Sequence, residues 1–150
     1  MLNNVFDLEQ AIKTKLVADG VFAPELVFTN ANAQDASNKI FRSVADNLAS
    51  ACLIIYKGYK VNNQTSTGTA KYTSHLMLKY QLIVLSPEEL YRTNAGSQFV
   101  ETIKSLKTLN AGDVCGYKGV LVDGGNSETE PSFTNNVVGL SMFYEFRAVI

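Results

Sequence analysis

Alternation dominates the middle of the chain. From Leu76 onward, Leu76, Leu78, Tyr80, Leu82 and Val84 occupy every second position, which in an extended strand puts all five on one face. Met77, Ile83 and Leu85 give the opposite face a partly apolar character as well. The pattern predicts a long hairpin: Ala51 to Val61, a polar tip at Asn62 to Gly68, and Thr69 to Leu85. A small domain has a single core to set against such a ribbon. The second face therefore needs another cover, either a helix of the same chain or a neighbouring subunit.

Elsewhere the apolar residues recur at helical spacing. Val5, Leu8, Ala11, Ile12 and Leu16 share one face of a first helix, with Asn4 as its N-cap and Gly20 as its stop. Val21 to Phe28 contains Pro24 and reads as irregular chain or a short edge strand. A second helix is expected from about Gln34 to Ser50, where Ile40, Val44 and Leu48 stack on successive turns, Phe41 broadens the stripe and Asn32 caps. Ser86-Pro87-Glu88-Glu89 reads as a helix start, with serine as cap and proline in the first turn, running to about Gly96. A further helix capped by Ser97 directs Phe99, Val100, Ile103 and Leu106 inward and leaves Glu101, Lys104 and Lys107 in water, ending at Asn110 to Gly112.

The last third predicts a second hairpin, Tyr117 to Val122 against Phe133 to Val149, separated by Asp123 to Ser132. Its closing strand alternates Leu140, Met142, Tyr144, Phe146 and Ala148 with Ser141, Phe143, Glu145 and Arg147, as a central strand does. The expected fold is one α+β domain over residues 1–150, a mostly antiparallel sheet of two long hairpins covered by about three helices.

Charge adds to this picture through its distribution, since 13 basic and 14 acidic residues leave a net charge of only −1. Such a balance gives no global argument for nucleic acid or an anionic membrane as principal partner. Between Asp46 and Glu88, however, the chain carries Lys57, Lys60, Lys71 and Lys79 and no carboxylate. Between Lys118 and Arg147 it carries Asp123, Glu128, Glu130 and Glu145 and no base. Opposite signs on two ribbons of one polypeptide suit a protein that meets copies of itself. Met1 leads into Leu2, Asn3 and Asn4 without a basic region and apolar run, and no apolar stretch is long enough to cross a bilayer. A soluble protein assembled in the cytoplasm is the expectation.

The candidates for chemistry are weak. Cys52 and Cys115 lack the paired spacing of zinc or redox sites and read as reduced thiols, with a single disulfide as the alternative. His75 could meet Cys52 if the hairpin register allowed, imitating a nucleophile and its base, but no third orienting group accompanies them. Glu88 and Glu89 are adjacent, so they diverge on a helix instead of converging on a substrate. The acidic loop from Asp123 to Glu130 departs from the ligand order of an EF-hand, and Gly116, Gly119, Gly124 and Gly125 do not make a phosphate-binding loop. No catalytic residue, metal or cofactor follows. The hairpin lysines, interleaved with Tyr56, Tyr59, Tyr72 and Tyr80, admit three readings: solvated edge lysines, pairing with a neighbour's acidic loop, or nucleic-acid contact.

The order of elements resembles one known family. A first helix in Phe6 to Leu16, a long hairpin ending in Leu82-Ile-Val-Leu-Ser-Pro87, a helix at Phe99 to Leu109 and a closing strand Gly139-Leu-Ser-Met-Phe-Tyr-Glu-Phe146 resemble the tail terminator, or tail-completion, proteins of tailed bacteriophages. The resemblance implies a structural virion subunit of a ring, usually a hexamer. The ring would stack on the last ring of the tail tube protein, end tube polymerisation and present a surface to head-completion or connector proteins. A contractile tail would add the sheath as a partner. DNA would pass through the lumen without sequence-specific binding. Another neck component, such as a head-completion or stopper protein, is the alternative. Composition assigns the subunit interface to Lys57, Lys60 and Lys71 with Tyr56 and Tyr59, facing Asp123, Glu128 and Glu130 of a neighbour.

Overall fold

A computed structural model of the chain describes residues 4–29, 40, 42, 44, 49–62, 75–109, 119–122, 132–134 and 136–149. It begins with helix α1 (Asp7–Ala18), whose start differs from expectation because Asn4 is two residues ahead of the N-cap position, Phe6. Asn4 still serves the incoming backbone: its Oδ1 accepts from the Phe6 N–H at 3.0 Å and its carbonyl from Asp7 at 3.1 Å. The helix stops as expected at Gly20, which takes a left-handed φ of 71°. Val21 donates back to the Leu16 carbonyl and Gly20 to that of Val17, which satisfies carbonyls the helix end would otherwise leave open.

A six-stranded mixed sheet forms the body of the α+β fold. Its strands are β1 (Val27–Phe28), β2 (Ala51–Asn62), β3 (His75–Pro87), β4 (Gly119–Val122), β5 (Ser132–Thr134) and β6 (Val137–Val149). The order is β1-β2-β3-β6-β4, with β5 also on β6, and only the β1–β2 pair is parallel. β2 and β3 pair as the first expected hairpin requires, and β4 pairs with a central β6, but the expected single strand from Phe133 to Val149 is divided: β5 folds back antiparallel on β6 beside Asn136, whose φ is 65°. Pro24 falls in a 3₁₀ turn (Pro24–Leu26) just ahead of the short edge strand β1. Residues 63–74, which include the hairpin tip and the start of the expected second strand, lie outside the described residues.

The two faces of the sheet have different covers. On one face Cys52, Ile54, Leu78, Tyr80, Leu82, Val84, Met142, Tyr144 and Phe146 pack beneath Leu8, Ile12 and Leu16 of α1 and the helix α2 (Gly96–Lys107). On the other, Ala51, Leu53, Leu85 and Val137 meet the helical residues Ile40 and Val44, with exposed Arg42 between them. The second face thus takes its cover from the same chain. That cover reaches the apolar end of the ribbon, where Ile55 and Ile83 join the cluster. Farther along, the same face turns polar: Gln81 donates to Ser141 Oγ at 3.1 Å, and Lys79 pairs with Glu145 at 3.4 Å.

Three expectations need correction. Among the described residues two α-helices have continuous bounds, against about three expected, and the second expected helix contributes only Ile40, Arg42 and Val44. Ser86 does not cap a helix, because β3 runs on through Pro87 and buries Ser86, whose hydroxyl donates to the Pro87 carbonyl. Nor does Ser97 begin a separate helix: a 3₁₀ turn (Glu88–Leu90), a π-helical turn (Tyr91–Ala95) and α2 follow one another without a break. Gly96 is helical there, so it does not end anything.

The buried face of α2 is also rotated from the expected one. Val100 is 48% exposed, whereas Thr102 and Ser105 are buried beside Leu106. Their hydroxyls explain why polar residues sit inside. Thr102 donates to the Gln98 carbonyl at 2.7 Å, and Ser105 donates to Asp19 at 2.5 Å, tying α2 to the end of α1. Asp19 also pairs with Lys15 at 2.9 Å, and the Ser105 hydroxyl together with Lys15 holds its carboxyl below the ordinary value of 3.8.

Two glycines separate backbone need from space. Gly58 has φ 114° and open space where a Cβ would stand, so conformation alone requires glycine. Gly96 has φ −60°, and a Cβ there would meet only the Tyr91 carbonyl at an ordinary 3.6 Å. Gly58→Ala is expected to cost about 1–2 kcal/mol and Gly96→Ala to gain about 0.5–1 kcal/mol in urea unfolding. Effects of equal sign would contradict the backbone assignment at one of the two positions.

Candidate interaction edge

The residues expected at a subunit interface gather on β2, and a local irregularity arranges them. Tyr56 pairs with Tyr80 and Gly58 with Lys79, which leaves Lys57 as an extra residue without a partner across the ladder. This is a β-bulge, and the positive φ of Gly58 makes it possible. Its effect on the side chains is specific. Tyr56 and Tyr59 are three apart and would fall on opposite faces of a regular strand. With the bulge, Tyr59 pairs with Leu78, so both tyrosines lie on the helix-covered face. Lys60 pairs with Met77 and lies on the other face, while Lys57 is exposed at the bulge itself.

The two tyrosines differ in burial. Tyr56 is half-buried and belongs to an aromatic row across the sheet: Phe6 meets it edge-on at 5.8 Å, Tyr80 lies 5.6 Å away, and Phe146 and Tyr144 continue the row. Tyr80 anchors the row by donating its hydroxyl to the Val5 carbonyl at the start of α1. Tyr59 is 65% exposed, and Phe6, edge-on to Tyr56, is 49% exposed. Much of Tyr56 is therefore committed to its own chain. Of the two tyrosines, Tyr59 is the one left exposed.

The outer side of strand β2 is only partly occupied among the described residues. Its partners among the described residues are β3 along its length and β1 at Cys52 and Leu53 only. Next along the strand, the Tyr56 N–H donates to the carboxylate of Glu9, a residue only 4% exposed on α1. From Gly58 to Asn62 the backbone has partners among the described residues on the β3 side alone. Lys57 and Lys60 make no ion pair among the described residues, unlike Lys79, whose charge is met by Glu145 of its own chain. A strand edge and two cations without partners among the described residues, beside an exposed aromatic ring, can accept an extended acidic segment.

The other half of the expected interface, Asp123, Glu128 and Glu130, lies outside the described residues, as does Lys71. Its anchor points do not. Because β3 occupies one side of β6 from Val137 to Val149, β4 and β5 must pair along the other side. Val122 is held there opposite Phe143 and Ser132 opposite Gly139, so the acidic connection leaves from and returns to that edge. The basic stretch of β2 and the anchors of the acidic stretch are thus on opposite edges of one sheet. Three strand spacings of about 4.8 Å, roughly 14 Å, separate them.

The remaining chemical candidates come apart. Cys52 pairs with Val84 and His75 with Asn62, nine residues farther along β3, so at about 3.4 Å per residue they stand roughly 30 Å apart. Burial pushes the Cys52 thiol up to about 12 and removes it as a nucleophile. Cys115 and the glycines at 116, 124 and 125 lie outside the described residues, and Gly119 is the first residue of β4. Glu88 and Glu89 are exposed on the 3₁₀ turn, and no group of three metal-ligating side chains occurs among the described residues. The Tyr144 hydroxyl is buried with no hydrogen-bond partner among the described residues, and burial raises it to about 12, so it stays protonated.

Sequence reasoning missed two contributors. Gly58 had a readable signal, since a glycine that interrupts an otherwise β-rich run marks a bulge. Glu9 had none, because an acidic residue in a first helical turn reads as a solvated dipole partner. No helix among the described residues is long and apolar enough to cross a membrane. No protein-family model matches the chain, and no curated protein sequence matches it.

Glu9 gives this edge a measurable pH dependence. Burial holds its carboxyl above the ordinary value of 4.5, with the Tyr56 N–H opposing the shift in part. The folded chain therefore keeps a proton that the unfolded chain has released. That contribution to stability is complete below pH 4.5 and is lost as pH rises through the folded value. Glu9→Gln should raise the thermal midpoint at pH 7 relative to the parent and shrink its advantage at pH 4. A parent more stable than the variant at pH 7 would mean that the Tyr56 bond outweighs desolvation.

Proposed function

We propose that this protein is a structural subunit of a tailed-phage virion: a tail terminator whose copies close head-to-tail into a ring on the end of the tail tube. One observation carries the reading. A closed ring needs two different complementary surfaces on each subunit, and this chain holds on one side of its sheet a basic strand edge with no outer partner among the described residues and on the other the anchors of an acidic segment. Lys57, Lys60 and Tyr59 would meet Asp123, Glu128 and Glu130 of the next subunit, and Lys71 would add to the same surface. The resemblance in element order supplies the biological setting, with six subunits as the expected number. The tube protein would lie below the ring and head-completion proteins above.

Charge pairing of exposed groups predicts salt sensitivity. Light scattering coupled to size-exclusion chromatography should find a ring at low salt that dissociates as salt rises. Deleting the coding sequence should leave tails of uncontrolled length, or finished tails unable to join heads, in electron micrographs. Virions of normal form would overturn the assignment. Antibody label on the head side of the neck, away from the tube end, would replace the terminator with a stopper or head-completion protein.

A further inference from the structure

We infer that α1 is fastened by two latches that open in opposite pH ranges: Glu9 holds its first turn to β2, and Asp19 holds its last turn to α2. The device is internal to one subunit, whatever that subunit assembles into.

The front latch sets a buried carboxylate against a neutral donor. Glu9 is buried on α1, and its carboxylate accepts from the Tyr56 N–H of β2. Beside it, uncharged contacts tie the entering chain to the sheet: Phe6 meets the Tyr56 ring edge-on, and Tyr80 of β3 donates to the Val5 carbonyl. The charged residues bordering this corner are exposed Asp7 and half-buried Lys13 on α1 and exposed Lys57 on β2, and none of them forms an ion pair with Glu9. Lys79 of β3 belongs to the opposite face, where Glu145 meets it. Taking the Glu9 carboxylate out of water outweighs its single N–H bond and favours the protonated form. This latch is therefore tightest in acid and weakest at neutral pH.

The rear latch has the reverse chemistry. Asp19 accepts from the Ser105 hydroxyl of α2 at 2.5 Å and pairs with Lys15 at 2.9 Å, both on the same oxygen. These partners favour the ionised form, so the latch is complete above pH 3.8 and is lost as pH falls through the lowered folded value. On α2 the neighbouring charges, Lys104 and Glu101, pair with each other. Gln98 adds a bond that does not titrate, donating to the Val21 carbonyl at 3.3 Å. Between the two ends, Leu8, Ile12 and Leu16 bind α1 to the core throughout. The helix has 12 residues, too few to hold an undocked turn by its own hydrogen bonds. At neutral pH the first turn is the end that opens, lifting Phe6 off Tyr56. In acid it is the last.

The test is native-state amide exchange of the full chain, with protection factors corrected for the intrinsic effect of pH. Residues 10–12 read the front latch, residues 19–21 the rear one, and Leu82 and Val84 inside β3 read global unfolding. Lowering the pH from 7 to 3 should raise protection at 10–12 and lower it at 19–21, each by about threefold or more. At pH 7, Glu9→Gln should raise protection at 10–12 alone, and Asp19→Asn should lower it at 19–21 alone by about tenfold. Each variant should also lose the pH response of its own end while keeping that of the other. Equal changes at both ends, or at Leu82 and Val84 as well, would show that α1 opens as one piece and overturn the separate latches. A fall at 10–12 on acidification, or no gain there from Glu9→Gln, would overturn the front latch and with it the opposition between the two ends.

Discussion

The register between β3 and β6 is the constraint from which the rest of the molecule follows. Thirteen consecutive pairs, from His75 opposite Val149 to Pro87 opposite Val137, run without a break. Because side chains alternate, a slip of one residue would exchange the faces and bring Lys79, Gln81 and Glu145 under the helices. The uninterrupted ladder therefore decides which face carries Tyr80, Leu82 and Tyr144 and which carries the Lys79–Glu145 pair. It also decides the edges. With β3 filling one side of β6, β4 and β5 have only the other, and β2 is left as the outer long strand beyond β3.

Most of the sheet was legible from alternation because β3 and β6 bury one face fully and the other in part, which leaves an unambiguous period of two. Helix α1 was equally readable, its Leu8, Ile12 and Leu16 being fully buried at the expected spacing. The failures have physical causes. Ser86-Pro87-Glu88 matches a helix start in local chemistry, yet pairing with Val137 and Val138 of β6 holds Ser86 and Pro87 in the strand. Thr102 and Ser105 look solvent-facing by composition but find acceptors in Gln98 and Asp19, and their burial turns Val100 outward.

The candidate edge was half legible. Segregated charge pointed to β2 and to the acidic segment, but nothing in the linear order says that their anchors end on opposite sides of one sheet. That is a property of strand order, set when β6 inserts between β3 and β4. Nor does local sequence reveal that Lys79 and Glu145 satisfy each other across adjacent strands. Their half-exposed ion pair contributes at most about 1 kcal/mol, but it removes two charges from the set open to a partner. The cations left without an intramolecular match among the described residues, Lys57 and Lys60, are concentrated at the end of the hairpin beyond the cover of α1.

The extra residue at Lys57 has a geometric consequence of its own. A bulged strand coils more tightly than a regular one, so anything laid alongside the outer margin of this sheet is turned relative to it and cannot continue flat. Were copies of the chain to associate along that margin, the same small rotation would bend a row of sheets into an arc. One inserted lysine and the glycine that accommodates it would thereby oppose straight fibrous growth and favour curvature.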